Sequence, residues 1–449
     1  MTLSSQSFID AIADKQADIA ALKNRVYSDV IDDAGLQYVD LVMEGGGVLG
    51  IALLGYVYVL EQAGLRFASL GGASAGSITA LALAALDVPA AAKSEMLIEI
   101  VANMPMADFV DGKDDDDTDA SDFLDTILAR RGLMKALWKG IQVVDNFSEI
   151  MGLNRGEHFH RWLKDMVLKP RGLTTTKALL AQMGTTPTGW RLRDDSLHRE
   201  SQLEGEPALP PLDPKDCKLC IVAADISTET KLEFPRMAGL YWADVDQVDP
   251  ADYVRCSMSI PFFFRPVKIP LAMRDPAHER LWCDLAGINE VDIEKKRFPP
   301  KFSLIVDGGV LSNFPIDVFH NPLKVPTRPT FGVKLQWDER AHNIDRLQEI
   351  VTQTFNAARH CLDYEFLRKN PDFNRLVAYI DTAEHDWLAF SMADAEKLDL
   401  FRRGALTAID FLARFDWQAY KTIRESLSAA QMTAASTMPR SQFRGSKPD

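Results

Sequence analysis

Cysteine is scarce in this chain and badly placed for pairing. Cys217, Cys220, Cys256, Cys283 and Cys361 are the five present in 449 residues. An odd count at wide spacing excludes a disulfide framework. Cys217 and Cys220 form a single C-x-x-C at the start of a strand-like run, which favours buried thiols in a reducing compartment over a redox or zinc pair. Positive charge is in deficit, with 50 Lys and Arg against 64 Asp and Glu, a net charge of -14. A field of that sign repels nucleic acid, so no nucleic-acid partner is expected. Long apolar runs are missing too. Residues 51–60 and 78–86 fall short of the roughly 18–20 that a membrane span needs, so no transmembrane segment is expected. The first twenty residues, MTLSSQSFIDAIADKQADIA, carry neither a basic n-region nor an apolar h-region, so no secretory signal is expected there. Metal-binding spacing is absent: there is no H-E-x-x-H, and ADVDQVD (243–249) lacks the glycine and terminal glutamate of a calcium loop. The expectation is a cytoplasmic protein with no metal and no cofactor, touching membranes peripherally if at all.

What is present is ordinary globular composition, 47% apolar and 25% charged, with a strand–helix alternation near the start. Residues 6–34 show helical spacing at Phe8, Ile9, Ile12, Ile19, Leu22, Val26 and Val30. LQYVDLVME then reads as a buried strand, VLGIALLGYVYVLEQAGL as an apolar helix ended by Gly64, RFASL as a short strand and SAGSITALALAAL as a second helix. That order predicts α/β architecture with a mostly parallel sheet. DGKDDDDTDASD (111–122) reads as a solvated loop, 123–169 as helical and 186–216 as loop. Strands resume at CKLCIVAADI, FSLIVDGG and PTFGVKLQW. Residues 343–425 read as mostly helical. The expected organisation is an N-terminal helical segment (1–35), a catalytic domain (36–425) with a helical and loop insertion at about 103–216, and a disordered tail (426–449).

Three stretches carry chemistry. GGGVLG, from Gly45 through Gly46 and Gly47 to Gly50, fits the G-x-G-x-x-G pattern of a phosphate-binding turn. A dinucleotide site also wants a carboxylate at the end of the second strand, and ASLGG offers none there. Gly72-Ala73-Ser74-Ala75-Gly76 is G-x-S-x-G, the pattern of a strained strand-to-helix turn with serine at its tip. The glycines two positions to either side are needed where a side chain would strike neighbouring backbone. The competing meaning is a glycine-rich turn with an N-capping serine. Asp307, followed by Gly308 and Gly309, ends the apolar run FSLIV. It serves either as an active-site carboxylate at a strand's carboxyl end or as a turn cap. The eight histidines, His158, His160, His198, His278, His320, His342, His360 and His385, all follow Ser74, and none sits in a glycine-flanked strand-end loop.

Taken in order, Gly45 to Gly50, Gly72 to Gly76 and Asp307 to Gly309 resemble the patatin-like phospholipase family. GLNRGEHFHRWL (152–163), CSMSIPFFFRPV (256–267) and FSMADAEKLDLFRRGALTAIDFL (390–412) extend the similarity over most of 37–412. The resemblance implies a three-layer α/β/α patatin-like fold and a lipid acyl hydrolase of phospholipase A or lysophospholipase type, acting on lipid or a membrane surface. It also implies a Ser-Asp dyad without histidine: Ser74 as nucleophile, Asp307 as general base, and the N–H groups of Gly45, Gly46 and Gly47 as oxyanion hole. A carboxylate is a weak base toward a serine hydroxyl, so such a site should be desolvated. The alternatives are a neutral-lipid or general carboxylesterase and, more remotely, a nucleotide-binding protein. One departure stands out: Leu49 occupies the position where the family has Arg or Lys. Two apolar signals remain open. IPFFFRPV either packs in the core or sends a ring into an acyl pocket, and MKALWKGIQV (134–143) fits an interfacial helix. Arg440, Arg444 and Lys447 near the C-terminus would give weak contact with anionic lipid.

Overall fold

The computed structural model describes residues 3–102, 104–109, 152–193, 217–295, 297–321, 324–335, 357, 365–382, 384–387 and 389–437. The acidic run, the segment at 134–143, residues 194–216 and the basic residues after 437 lie outside them, as do His198, His342 and His360.

The first 35 residues are not one helix. They form α1 (Ser5–Asp10), a 3-10 turn, α2 (Gln16–Leu22) and the short strand β1 (Val30–Ile31). The helix stops because the buried Gln37 side chain takes over the backbone beyond it. Gln37 Oε1 accepts from Tyr27 N (2.7 Å) and Ser28 N (3.2 Å), and Gln37 Nε2 donates to Arg25 O (2.8 Å). Val26, expected on the apolar face, is exposed. The segment is not a separate unit either. Phe8 is buried in the main core, edge-on to Phe401 at 5.3 Å, and β1 pairs with the sheet.

The remaining strands are β2 (Gln37–Met43), β3 (Leu65–Ala73), β4 (Gly152–Asn154), β5 (Arg191–Leu192), β6 (Leu219–Asp225), β7 (Thr230–Phe234), β8 (Phe262–Phe264), β9 (Val267–Pro270), β10 (Phe302–Asp307), β11 (Thr330–Lys334) and β12 (Val377–Tyr379). Their main sheet runs β12-β11-β2-β3-β6-β10-β9, with β1, β5 and β7 alongside. The pairings from β12 to β6 are parallel. Every residue of β2, β3, β6 and β11 is buried, as a parallel sheet covered on both faces requires. Period-two alternation puts Leu70, Ile221 and Ala223 in the main core and sends Ala73, Cys220 and Val222 to the other face beneath Val318 and Phe319. The α/β fold with a mostly parallel sheet is as expected.

Helices α3 (Ile51–Gln62) and α4 (Ala75–Leu86) follow β2 and β3. α3 is apolar nearly all round because it is enclosed on more than one side. The helix Asp394–Arg414 lies against it so closely that a Cβ at Gly55 would strike Phe401 O, and one at Gly404 would strike Ala52 O. Elsewhere the sequence reading needs correction. Residues 152–154, expected to be helical, form β4 and pair with β8, with Asn154 Nδ2 donating to Phe263 O at 3.0 Å. Residues 191–192, expected as loop, pair with β1. The last helix, Trp417–Thr437, runs twelve residues past the expected start of a disordered tail. It is anchored by buried ion pairs, Lys421 to Asp29 (2.8 Å) and Arg424 to Asp372 (3.2 Å).

One feature of the sheet positions everything that follows. β6 carries β7 along one edge, paired over Ile221 to Asp225. Its other edge is shared by two strands. β3 runs parallel beside it until Ala73 meets Val222. β10 comes from the opposite direction and ends where Asp307 meets Ala223. The two strands therefore meet tip to tip on adjacent rungs, with Ser74 following one tip and Asp307 forming the other.

Candidate active site

Ser74 sits at the break between β3 and α4 with φ 49 and ψ -123. These are the angles of the first central position of a type II′ turn, which glycine ordinarily fills. The backbone is held there from several sides. Ser74 N donates to Ser257 Oγ at 2.9 Å, and Ser74 O accepts from Ser77 N (2.9 Å) and Ser77 Oγ (2.6 Å). Space around the turn is tight in the way G-x-S-x-G predicts. A Cβ at Gly72 would lie 2.5 Å from Gly76 C, and one at Gly76 would strike Met43 O. At Gly50 an added Cβ would come within 3.0 Å of Ala75 Cβ. Ser74 is the N-cap of α4, so the helix's positive end faces any charge that develops on the serine or its adduct.

Asp307 lies at the end of an antiparallel strand, not a parallel one, as its pairing with β6 shows. Its carboxylate reaches the parallel strands' carboxyl edge because β6 outruns β3 by three residues and β10 pairs with that overhang. Asp307 Oδ1 accepts from Gly309 N at 2.7 Å, and Asp307 N donates to Ser259 O at 2.9 Å. Gly308 packs on β6, where a Cβ would strike Val222 O. The capping and active-site roles considered for Asp307 are therefore compatible: one oxygen caps the turn.

Ser74 and Asp307 line one cavity together with Gly46, Gly47, Gly309, Asn313, Ile260, Pro261, Val310 and Trp387. Both are nearly buried, at 4% and 5% exposure. The cavity holds about 30 Å³, room on the scale of water rather than of an acyl chain. Ser74 Oγ points its hydroxyl at Met258 Sδ, 3.6 Å away. Among the described residues no hydrogen bond joins it to Asp307. Hydrogen bonds of this kind often tighten only once substrate is bound.

The glycine loop follows β2 as a 3-10 turn, Gly47–Gly50. Gly45 does not supply an oxyanion donor: its N–H is already committed to Asn313 O at 3.0 Å. Asn313 Nδ2 returns a bond to Gly45 O at 3.0 Å, so one side chain ties the glycine loop to the loop that bears Asp307. Gly46 and Gly47 line the cavity, and Gly47 needs φ 56 where a Cβ would strike Trp387 O. Asn313, Trp387 and Ser257 are the residues that motif reading missed. Asn313, six positions after Asp307, had a local signal in being next to the same strand end. The other two had none.

Leu49 is buried in the main core at 3% exposure, beneath the loop rather than in the cavity. Among the described residues that line the cavity none is Lys, Arg or His, and Asp307 is the one charged group. The described histidines are engaged elsewhere. His160 pairs with Asp252 and His385 with Asp399, while His278 contacts Leu240 O. His320 packs between Phe366 and Phe373, and burial pushes its imidazole down to about 4. Two rings of the triple phenylalanine are core. Phe263 and Phe264 are buried, and Phe263 stacks on Phe390 at 5.1 Å. Cys217 and Cys220 are both free and buried, and they fall in different hydrophobic clusters. Among the described residues, no group of His, Cys, Asp and Glu is placed to hold a metal. No described helix is long and apolar enough to cross a membrane.

The family model of patatin-like phospholipases matches residues 41–320, well over half of the chain. The chain belongs to that family. Membership makes it a lipid hydrolase at the family level, and the matched span contains the glycine loop, the serine turn and Asp307. The patatin-like match stops before β11, β12 and the helix that covers α3. A relative, "Uncharacterized protein YqhO" of Bacillus subtilis (strain 168), is 26% identical over 385 residues, spanning 85% of this chain and 100% of that one. VipD from Legionella pneumophila, known from a crystal structure, aligns over 87% of this chain and 71% of its own at 15% identity, with a TM-score of 0.37.

Proposed function

We propose that this patatin-like protein is a lipid acyl hydrolase of phospholipase A or lysophospholipase type, working through a Ser-Asp dyad. Ser74 Oγ attacks the ester carbonyl while Asp307 takes the hydroxyl proton. Asp307 then returns that proton to the leaving alcohol, giving an acyl-enzyme, and activates water to release the acid. The tetrahedral oxyanion would be held by the N–H groups of Gly46 and Gly47 and by the positive end of α4. The observation that carries this reading is a strained, buried serine sharing a small cavity with one carboxylate and, among the described residues, no histidine.

A second reading, a neutral-lipid or general carboxylesterase, is favoured by one observation. Among the described residues no cation lines the cavity, and the glycine loop carries the buried Leu49. An anionic head group would have to be bound outside the cavity described here.

The test is Ser74→Ala, measured first on a short-chain nitrophenyl ester and then on a mixed lipid extract read by mass spectrometry. The variant should lose about a thousandfold or more in kcat with its circular dichroism unchanged. Residual activity near that of the parent would remove Ser74 from the mechanism. The lipid classes that disappear only with the parent protein separate phospholipid from neutral ester.

A further inference from the structure

We propose that the tripeptide Ser257-Met258-Ser259 is the positioning element of the dyad, and that the Ser257 hydroxyl holds Ser74 in its strained conformation. The inference rests on the Ser74–Asp307 reading above. Three successive residues touch both members of the pair. Ser257 Oγ accepts from Ser74 N at 2.9 Å. Met258 Sδ accepts from Ser74 Oγ at 3.6 Å. Ser259 O accepts from Asp307 N at 2.9 Å.

Ser257 ends the helix Pro250–Ser257 and is fully buried. Its one hydroxyl proton goes to Val222 O at 2.6 Å. Val222 is the rung that pairs with Ala73, the last residue of β3. Ser257 thus spans the gap where the β3 ladder stops: it satisfies a carbonyl of β6 and the first amide past the end of β3. An alanine there would leave a buried N–H and a buried carbonyl without this partner. The freed Ser74 backbone could then relax away from φ 49, an angle that persists only when its surroundings impose it.

Met258 adds a second effect. In the resting arrangement the nucleophile's proton points at a thioether, a weak acceptor. Attack needs that hydroxyl turned toward Asp307. Met258 therefore holds a resting rotamer that substrate binding must displace. Neither Ser257 nor Met258 lines the cavity, so both act through Ser74 and neither needs to touch substrate. The Ser259 side chain is tied back to Arg255, donating to its carbonyl at 2.8 Å and accepting from its guanidinium at 2.6 Å. Its carbonyl is thereby fixed for Asp307.

The experiment compares the full chain with Ser257→Ala and Met258→Leu. It measures the rate of fluorophosphonate labelling at Ser74, kcat and KM on a nitrophenyl ester, and the thermal midpoint. Ser257→Ala should lower kcat and the labelling rate together by about tenfold or more, with KM within about twofold. Met258→Leu conserves volume and removes the acceptor, and should raise the labelling rate about two- to fivefold with KM unchanged. A purely structural role would move the thermal midpoint and leave the per-molecule labelling rate alone. Labelling of folded Ser257→Ala at the parent rate overturns the inference. Should Ser257→Ala fail to fold, an unchanged labelling rate in Met258→Leu overturns it instead. A parent chain that takes no label at Ser74 overturns the dyad reading, and this inference with it.

Discussion

Among the described residues, two that are not glycine run the backbone at positive φ: Ser74 at 49° and Glu229 at 56°. Glu229 closes the four-residue loop between β6 and β7, where Asp225 pairs with Thr230. It is exposed, and a left-handed residue at the end of such a loop follows from hairpin geometry. Ser74 is buried, ends a parallel strand and opens a helix. No turn of the chain requires a side chain at that point, and glycine would satisfy the backbone. Backbone at positive φ costs a residue with a Cβ on the order of 1–3 kcal/mol. The two sites differ in what imposes it. At Glu229 the hairpin does. At Ser74 it is Ser257, Ser77 and the close packing of Gly45, Gly72 and Gly76. Strain kept in place by so many contacts is the kind found where a side chain has work to do.

Ser74→Gly gives the largest expected effect and the sharpest test of that contrast. It removes the nucleophile, so hydrolysis should fall by about a thousandfold or more. It also removes the Cβ that makes the backbone angle costly. The glycine variant should therefore be more stable than Ser74→Ala by about 1 kcal/mol, read as a higher denaturant midpoint at unchanged slope. A glycine variant less stable than the alanine one would mean that the turn is not strained.

Much of this site was legible in the sequence, and the reason is local. G-x-S-x-G encodes a turn within five residues, and the glycines mark backbone contacts that any chain making that turn must make. Asp307 was legible as a strand-end carboxylate, yet its strand runs opposite to the expected direction. Direction depends on which neighbour a strand pairs with, and here on the overhang of β6 beyond β3. The helix expected over 6–34 failed for a similar cause: Gln37, from the next strand, captures the backbone of 25–28. Ser257 meets Ser74 across 183 positions and Asn313 meets Gly45 across 268, separations over which composition and periodicity carry no information. Leu49 departs from the family's pattern at a position usually held by Arg or Lys. Its side chain is buried in the apolar core and does not line the cavity.

Gly45→Ala probes the packing around Ser74 directly. The added Cβ would lie 2.6 Å from Asn313 Oδ1 and 2.9 Å from Ser74 Cβ. Something must shift, and both neighbours belong to the cavity wall. Overpacking of this kind costs about 1–3 kcal/mol of stability. Displacement of the serine turn should lower kcat by about a hundredfold, in line with the sensitivity of positioned groups to errors near 1 Å. Wild-type kcat in this variant would show that the close approach of Gly45 and Ser74 has no bearing on the reaction.

Glu229→Gly is the counterpart with the smallest expected effect. The φ of 56° suits glycine and costs glutamate energy. Against that relief stands the greater freedom glycine gives the unfolded chain, so the net gain should be about 0.5–1 kcal/mol. The side chain is exposed at the far end of the β6–β7 hairpin, and the residue does not line the cavity. Kinetic constants should therefore stay at parent values while the denaturant midpoint rises slightly. A loss of activity in Glu229→Gly would break the comparison, because it would connect the hairpin turn to the serine turn through β6, the strand on which both β3 and β10 end. A loss of stability would mean instead that the glutamate side chain supports the hairpin by contacts outweighing its backbone cost.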